Sequence, residues 1–399
     1  MPSKPQLAVG LDAGSSRTRC VICVLEGDQL RYVGHGLARA AGWTRGRIVD
    51  QVAAAESIRE AVDDAERGAE VSVEAATLGI GGPHIHGAQS RGLYEFGRPR
   101  EVGQEDLSYA AQRATHVRLE PDRMLLHVLP QDFTLDGRAG FRRPHKGVCS
   151  RLESNVHIVT ASMQEHQALI AAAHLAHLPV EETVFEPLAA AYACLYPEDR
   201  ARGVALVDLG MHSTGLVIYD GDAIQLASNL PVNSDHFTRD IASVFKITSE
   251  DAESLKQQYG CALLGLTSDS SLIEVPSAEG RRPREARRGD LIEILEARAE
   301  ELFLYVLGEI QRAGMERNLF EGIVLTGGGS LLNGMCDVAE RVLNCQAGNG
   351  LAKGIGDWPD ELESPLWTTA AGLAMYSAKL KLQHPPQRRA GGLLGLVMR

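Results

Sequence analysis

Apolar residues in this chain fall in short bursts, and the bursts repeat. Residues 7–11 read as a buried strand that runs into Asp12-Ala13-Gly14-Ser15-Ser16-Arg17-Thr18, and residues 20–25 read as its hairpin partner. The same arrangement returns at Val204-Ala205-Leu206-Val207-Asp208-Leu209-Gly210, with a following strand at 216–219. A third burst, Ile323-Val324-Leu325, stops at Thr326 and opens into Gly327-Gly328-Gly329-Ser330, ahead of a helix-like run at 333–343. Repetition of a strand–Asp–x–Gly turn implies two similar α/β lobes facing one another across a cleft.

Helical spacing fills the intervals. Residues 50–67 form a helix with Val52, Ala55, Ile58 and Val62 on one face, and residues 75–80 a strand that ends at Gly81-Gly82-Pro83. The texture changes from 84 to 161. Short strands at 125–129 and 155–161 flank a helix near 105–115 and a loop rich in Arg, Gly and Pro, as in a small inserted subdomain. Ser162-Met163-Gln164-Glu165 is a capping box that opens an Ala-rich helix to residue 177. Beyond the second Asp turn come a strand at 223–230 and helices at 235–245 and 249–259, the latter closed by Gly260. A long helix at 290–312 presents Ile294, Phe303 and Val306. Thr368-Thr369-Ala370-Ala371-Gly372 lies in a final helix whose small residues permit close packing.

The turns carry the chemistry. Three glycines after a strand remove every Cβ, so backbone N–H groups can approach a phosphate or nucleoside; a plain strand–helix turn needs only one. Asp12 at a strand end, followed by Gly14, Ser15 and Ser16, can hold a hydrated Mg²⁺ beside N–H donors, or close an ordinary hairpin. Glu186, ahead of Pro187 and a run of alanines, can orient a water near phosphates or simply complement a helix N-terminus. Glu253 and Lys256, three apart on one helix face, can hold a ribose or adenine edge or stand as a solvated pair. The stretch 281–288 holds five arginines and one glutamate, and reads as a solvated loop or as a dock for an acidic peptide.

Composition narrows the class. A chain of 399 residues is too long for one core, and 44% hydrophobic content suits a folded protein. A net charge of −12 argues against nucleic acid as a partner. Seven scattered cysteines fit a reducing compartment; Cys20 and Cys23 fall in a strand, pointing to opposite faces, and read as core. No apolar run is long enough to span a bilayer, and no signal-peptide pattern opens the chain. After Pro385-Pro386 the chain turns polar and then apolar again. Leu393, Leu394, Leu396 and Val397 share one side of a helical wheel, with Met398 beside them. That tail reads as a membrane-surface segment or as a strip packed on its own protein.

Taken together, these turns resemble the actin-like ATPase superfamily, and within it the FtsA family of bacterial cell-division proteins, over essentially the whole chain. The Asp12 turn resembles the first phosphate loop, the Asp208 turn the second, Gly327 to Ser330 the adenosine loop, and Glu186 and Thr368 to Gly372 the two connecting helices. Further family-like segments are Leu126-His127-Val128-Leu129-Pro130-Gln131, Tyr259-Gly260-Cys261-Ala262-Leu263 and Glu274-Val275-Pro276-Ser277. The resemblance implies an actin-like two-lobed α/β fold with an inserted small α+β subdomain in the first lobe. It divides the chain into a first lobe at 1–83 and 162–200, the insertion at 84–161, a second lobe at 201–246 and 311–365 with a small subdomain at 247–310, a closing helix at 366–382 that returns to the first lobe, and a linker and amphipathic tail at 383–399.

The resemblance also implies ATP and Mg²⁺ as ligands. Nucleotide contacts are expected at Asp12, Gly14, Ser15, Ser16, Arg17, Gly210, Met211, His212, Ser213, Glu253, Lys256, Gly327, Gly328, Gly329 and Ser330. Asp12 and Asp208 are expected to hold the metal through water, and Glu186 and Asp208 to act in any hydrolysis. The implied partners are the FtsZ C-terminal peptide at Arg281, Arg282 and Arg298, further copies of the chain, later division proteins at the insertion, and membrane lipid at Leu393, Leu394, Leu396, Val397 and Met398. The implied place is the inner face of the cell membrane at the septum, as a peripheral protein.

One departure matters. Where many relatives carry D-x-G-G-G-T, this chain has Asp208-Leu209-Gly210-Met211-His212-Ser213, and Gly215 stands near the place of a following Asp. Side chains at 211 and 212 narrow the backbone approach to phosphate, so turnover is expected to be slow at most. Arg17 stands where many relatives have Lys. Two alternatives on the same fold are a small-molecule kinase, for which no separate substrate carboxylate is evident, and a scaffold of pilus assembly.

Overall fold

The computed structural model describes residues 6–276 and 283–383. In chain order the first lobe opens with β1 (Gln6–Ala13), β2 (Arg17–Glu26), β3 (Gln29–Arg39), a small hairpin of β4 (Trp43–Thr44) and β5 (Arg47–Ile48), α1 (Gln51–Ala69) and β6 (Ala76–Ile80). The insertion adds β7 (His86–Glu101), α2 (Gln104–Thr115), β8 (Arg123–Leu135), β9 (Arg138–Phe141) and β10 (Val148–Ser162). Then come α3 (Met163–Leu175), β11 (Val180–Phe185), α4 (Glu186–Cys194) and the short α5 (Pro197–Arg202). The second lobe contains β12 (Val204–Leu209), β13 (Thr214–Asp220), β14 (Ala223–Leu230), α6 (Ser234–Phe245), α7 (Ser249–Tyr259), β15 (Leu272–Val275), β16 (Arg284–Arg287), α8 (Arg288–Arg312), β17 (Ile323–Thr326), α9 (Met335–Leu343) and β18 (Ala347–Asn349). Helix α10 (Thr368–Gln383) closes the described chain.

The duplication is literal. One sheet runs β3-β2-β1-β6-β11 and the other β14-β13-β12-β17-β18. In each, two antiparallel pairings precede two parallel ones. Each central strand, β1 or β12, therefore ends beside a parallel neighbour, and its terminal Asp is delivered to the same edge of its lobe. Val9, Leu11, Ile58 and Leu78 anchor the first core, and Val207, Phe237, Leu295 and Phe303 the second.

The helices after β11 and β18 cross at close range. A Cβ at Gly372 would fall 1.8 Å from the Ala189 carbonyl oxygen, so α10 and α4 touch backbone to backbone. Helix α10 lies on β1, where a Cβ at Gly10 would meet Ala370 O at 2.2 Å. Helix α4 reaches the other sheet, where a Cβ at Gly215 would meet Pro187 at 2.0 Å. Gly215, noted above as a replacement for an acidic residue, is thus also the contact on which α4 seats.

Several expectations are adjusted. Val52 is 61% exposed, because it lies in the first turn of α1, ahead of the Ala61–Ala65 stretch that packs on Gly34 and Gly36 of β3. Gly260 caps α7 in an extended conformation rather than a left-handed one; its glycine is needed because a Cβ would sit 2.2 Å from Lys256 O. The arginine-rich stretch is not wholly loop, since β16 pairs with β15. The insertion is a four-stranded sheet in the order β7-β10-β8-β9, with strands longer than the sequence pattern indicates. Cys20 and Cys23 are fully buried in separate cores on the two faces of the first sheet, and all seven cysteines are free.

The insertion is bonded to both lobes. His127 Nε2 accepts from the Phe185 N–H at 3.0 Å, immediately before α4. Gln131 Nε2 donates to the carbonyls of Ile224 and Gln225 on β14, at 2.9 and 3.1 Å. His157 Nε2 lies 3.0 Å from the Ala227 N–H on the same strand. Burial holds the His127 imidazole down at about 4. A histidine favoured neutral in the fold contributes its full stability above the unfolded value near 6.5 and loses it as pH falls toward 4. Urea titrations should therefore show stability falling between about pH 6.5 and pH 4, by up to about 3 kcal/mol from this group. His127→Gln, which keeps an acceptor for Phe185, should flatten that part of the profile.

Candidate functional site

The two duplicated turns meet across a cleft whose floor is acidic. Asp12 ends β1, Asp208 lies at the end of β12, and Glu186 opens α4 between them. Burial lifts the Asp12 carboxyl to about 6, against the pull of Arg19 and with a push from Asp208. Burial also raises Glu186 well above the ordinary carboxylate range, and Asp12 and Asp208 add to it. Asp208 rises through burial, opposed by the Thr369 hydroxyl, which donates to Oδ2 at 3.2 Å, and by Arg19. Three carboxyl groups thus crowd one floor, each resisting the negative charge of the others.

Glycines make room for this arrangement. A Cβ at Gly81 would fall 1.9 Å from Glu186 Oε2, so the turn after β6 is the seat of that carboxylate. Gly327 has φ of 77°, and a Cβ there would lie 2.6 Å from Asp208 Oδ1. A Cβ at Gly329 would lie 2.4 Å from the Leu209 side chain. Gly328 differs: it is exposed to the cleft, and only Leu366 approaches its missing Cβ, at 3.3 Å. The triple glycine therefore divides its duties, two positions packing the turn onto the second Asp loop and one left open.

All the candidate nucleotide contacts except His212 and Ser330 line one cavity of about 620 Å³. The Ser330 hydroxyl turns back to donate to Gly327 O at 2.7 Å and is a structural part of its turn. The His212 ring nitrogen Nε2 lies 3.9 Å from Asp235 Oδ2, and the residue rests against Gly46 of the β4–β5 hairpin. Its backbone belongs to the loop while its imidazole leaves the cavity, whereas Met211 stays in the lining. Residues 14–16 and 211–213 lie outside helix and strand, so no sheet ladder takes up their amides. Glu253 and Lys256 are not a solvated pair. Lys256 Nζ meets Glu253 at 2.7 Å and donates to Thr238 at 2.8 Å and Ser234 at 3.1 Å, which joins α7 to α6 in the cleft wall.

The acidic floor fits a hydrated dication. Among the described residues no three His, Cys, Asp or Glu side chains are grouped so as to hold a metal directly. The carboxylates surround a space instead, which matches a metal that retains waters and uses substrate oxygens. Sequence reading named Gly81 only as a strand end and Thr369 only as part of a connecting helix, and it did not name Gly79 or Arg19. The signal for Arg19 was its spacing of two from Arg17 on a strand, which places both on one face.

A shallower groove runs between α6 and α8, lined by Val244, Ile294 and Ala297 with Asp240, Arg298 and Glu301. Arg298 donates to both carboxylate oxygens of Asp240, at 2.6 and 2.9 Å, and pairs with Glu301. It is therefore a neutralised, oriented guanidinium and not a free cation. Arg284 and Arg288 donate to the carbonyls of Phe245 and Tyr259, and Arg287 pairs with Asp290. Arg281 and Arg282, and the tail residues Leu393, Leu394, Leu396, Val397 and Met398, lie outside the described residues.

Two family models match the chain: one described as "Cell division protein FtsA", over residues 205–372, and one described as "SHS2 domain inserted in FTSA", over residues 82–160. The cell division protein FtsA of Pseudomonas aeruginosa is 34% identical over 372 residues, covering 93% of this chain and 89% of that protein. That of Escherichia coli K12 is 30% identical over 385 residues, covering 94% and 91%. In fold the chain is similar to the PilM–PilN type IV pilus biogenesis complex, with a TM-score of 0.66 at 17% identity over 93% of this chain and 98% of that one. It is likewise similar to MreB5 of Spiroplasma citri bound to ADP, with a TM-score of 0.57 at 14% identity over 94% and 97%. These two likenesses concern the actin-like fold alone.

The glycine geometry gives a direct stability test. Gly327→Ala places a side chain in a backbone region reserved for glycine and should cost roughly 1–3 kcal/mol. Gly328→Ala should change stability by less than about 0.5 kcal/mol. Urea denaturation of the two variants measures the difference.

Proposed function

The chain belongs to the FtsA family of cell-division proteins, and on that premise we propose that it binds ATP in the interlobe cleft and tethers FtsZ polymers to the inner face of the membrane at the septum. The observation that carries the nucleotide reading is the convergence of the Asp12, Asp208 and Gly327–Gly329 turns on one cavity. Turns without Cβ atoms bring amide donors to a polyphosphate, and the open face at Gly328 leaves space for a nucleoside. Asp12 and Asp208 would hold the waters of Mg²⁺, which when bound would screen the charge of the polyphosphate. Glu186, seated on Gly81 with its carboxyl raised by burial, would orient a water at the phosphate end. Met211 replaces a small residue in the cavity wall, and the resulting distance between loop backbone and phosphate makes hydrolysis slow.

The α6–α8 groove is the proposed dock of the FtsZ C-terminal peptide. Its apolar floor of Val244, Ile294 and Ala297 suits a short amphipathic segment, and Arg298 offers a guanidinium already aimed by Asp240. The tail at 393–399 is the proposed membrane contact. Burying each large apolar side chain contributes about 1.5–3 kcal/mol. Ordering the backbone costs about 1–2 kcal/mol per residue, so one tail binds weakly. Many tails carried by an FtsZ polymer or by self-association bind tightly through effective concentration. The insertion is the proposed surface for self-association and for later division proteins.

Asp12→Ala should weaken Mg²⁺-ATP binding and Gly328→Val should block it sterically, both read by calorimetry. Wild-type affinity in both variants would remove the nucleotide from this cleft. Turnover should stay well below the roughly 1 s⁻¹ of working enzymes. Co-sedimentation tests the adaptor role. Deleting residues 393–399 should abolish pelleting with vesicles while FtsZ still binds, and Arg298→Glu should cost about 1.5–3 kcal/mol of FtsZ-peptide affinity while vesicles still bind. A truncated chain that pellets with lipid, or an Arg298→Glu chain with unchanged peptide affinity, contradicts the corresponding half of the reading.

A further inference from the structure

The phosphate end of the cleft contains a second arginine besides Arg17. Arg17 is exposed at the rim, whereas Arg19 lies in the floor with its side chain 13% exposed. Its Nη1 is 3.8 Å from Asp12 Oδ2, and its charge also acts on Asp208. The Trp367 ring lies 5.7 Å from the guanidinium carbon and is itself met edge-on by His35 at 5.0 Å. A nearby carboxylate and a fixed aromatic face hold the cation in place. Yet its approach to Asp12 is longer than a hydrogen bond, and among the described residues the guanidinium donates none. Five N–H donors in a mostly buried group are ordinarily satisfied. Here they border the cavity whose other walls are the Gly14–Ser16 and Gly327–Gly329 turns.

We propose that Arg19 is a resident counter-ion for the phosphates, so that this cleft binds ATP even without a divalent cation. The proposal rests on the ATP reading above. A guanidinium is permanently charged, and its planar fork matches a pair of phosphate oxygens. It offsets one of the three floor carboxylates whether or not a metal is present.

The test titrates the full chain with a fluorescent ATP analogue, by anisotropy, in Mg²⁺ and in EDTA. Wild type should bind in EDTA within about tenfold of its affinity in Mg²⁺. Arg19→Met should lose roughly 10- to 100-fold more in EDTA than in Mg²⁺. Arg19→Lys, which keeps the charge, should recover a large part of that loss, and Arg67→Met on the exposed side of α1, away from the cavity, should leave the EDTA-to-Mg²⁺ ratio unchanged. Wild-type binding that is intact in Mg²⁺ and absent in EDTA overturns this inference and leaves the ATP reading standing. No binding in either buffer overturns the ATP reading itself. Equal losses in both buffers for Arg19→Met would mark Arg19 as merely structural and likewise overturn the inference. The wild-type comparison in the two buffers decides the matter even if Arg19→Met fails to fold.

Discussion

Like charges crowded into one buried floor are the constraint that organises this molecule. Asp12, Asp208 and Glu186 come from three different elements, and burial makes each of them costly as an anion. A fold retains such a cluster when something positive regularly answers it. The surrounding design serves that end. Two sheets of the same order deliver the aspartates to facing edges, glycines at 81 and 327 yield space to the carboxylates, and Thr369 of the closing helix supplies a hydroxyl to Asp208. Stability and ligand binding pull against one another here, and the close crossing of α4 and α10 at Gly372 holds the lobes together under that load.

Much of this was legible from the chain alone, because it depends on short-range rules. The strand at residues 223–230 and the helix at 249–259 coincide with β14 and α7, since their turn and cap residues are explicit. The paired strand–Asp–x–Gly turns announced the duplication. What stayed hidden depended on partners distant in sequence. Strand β7 carries little apolar patterning, with only Gly92 buried along it, and exists because β10 pairs with it. Arg298 looked like a free cation until α6 brought Asp240 to it. Ser330 looked like a ligand contact, but its hydroxyl is used inside its own turn. Arg19 shares a strand face with Arg17, nearer the turn, and strand alternation gives the face but not the depth.

The departure at 211–212 also has a clearer meaning in three dimensions. The two replacements do different things. Met211 occupies the cavity wall, while His212 turns out toward Asp235 and the β4–β5 hairpin of the opposite lobe. One substitution alters the ligand's surroundings and the other adds an interlobe contact at the mouth of the cleft.

The double attachment of the insertion bears on how the lobes can move. His127 ties it to the base of α4, and Gln131 and His157 tie it to β14, the third strand from β17 in the other sheet. A body pinned at two points to two plates cannot stay still when the plates rotate. Either the pins shear, or the body swings. The insertion is thus a strap across the two lobes: β11 and β14 cannot shift relative to one another without carrying it along or breaking these bonds.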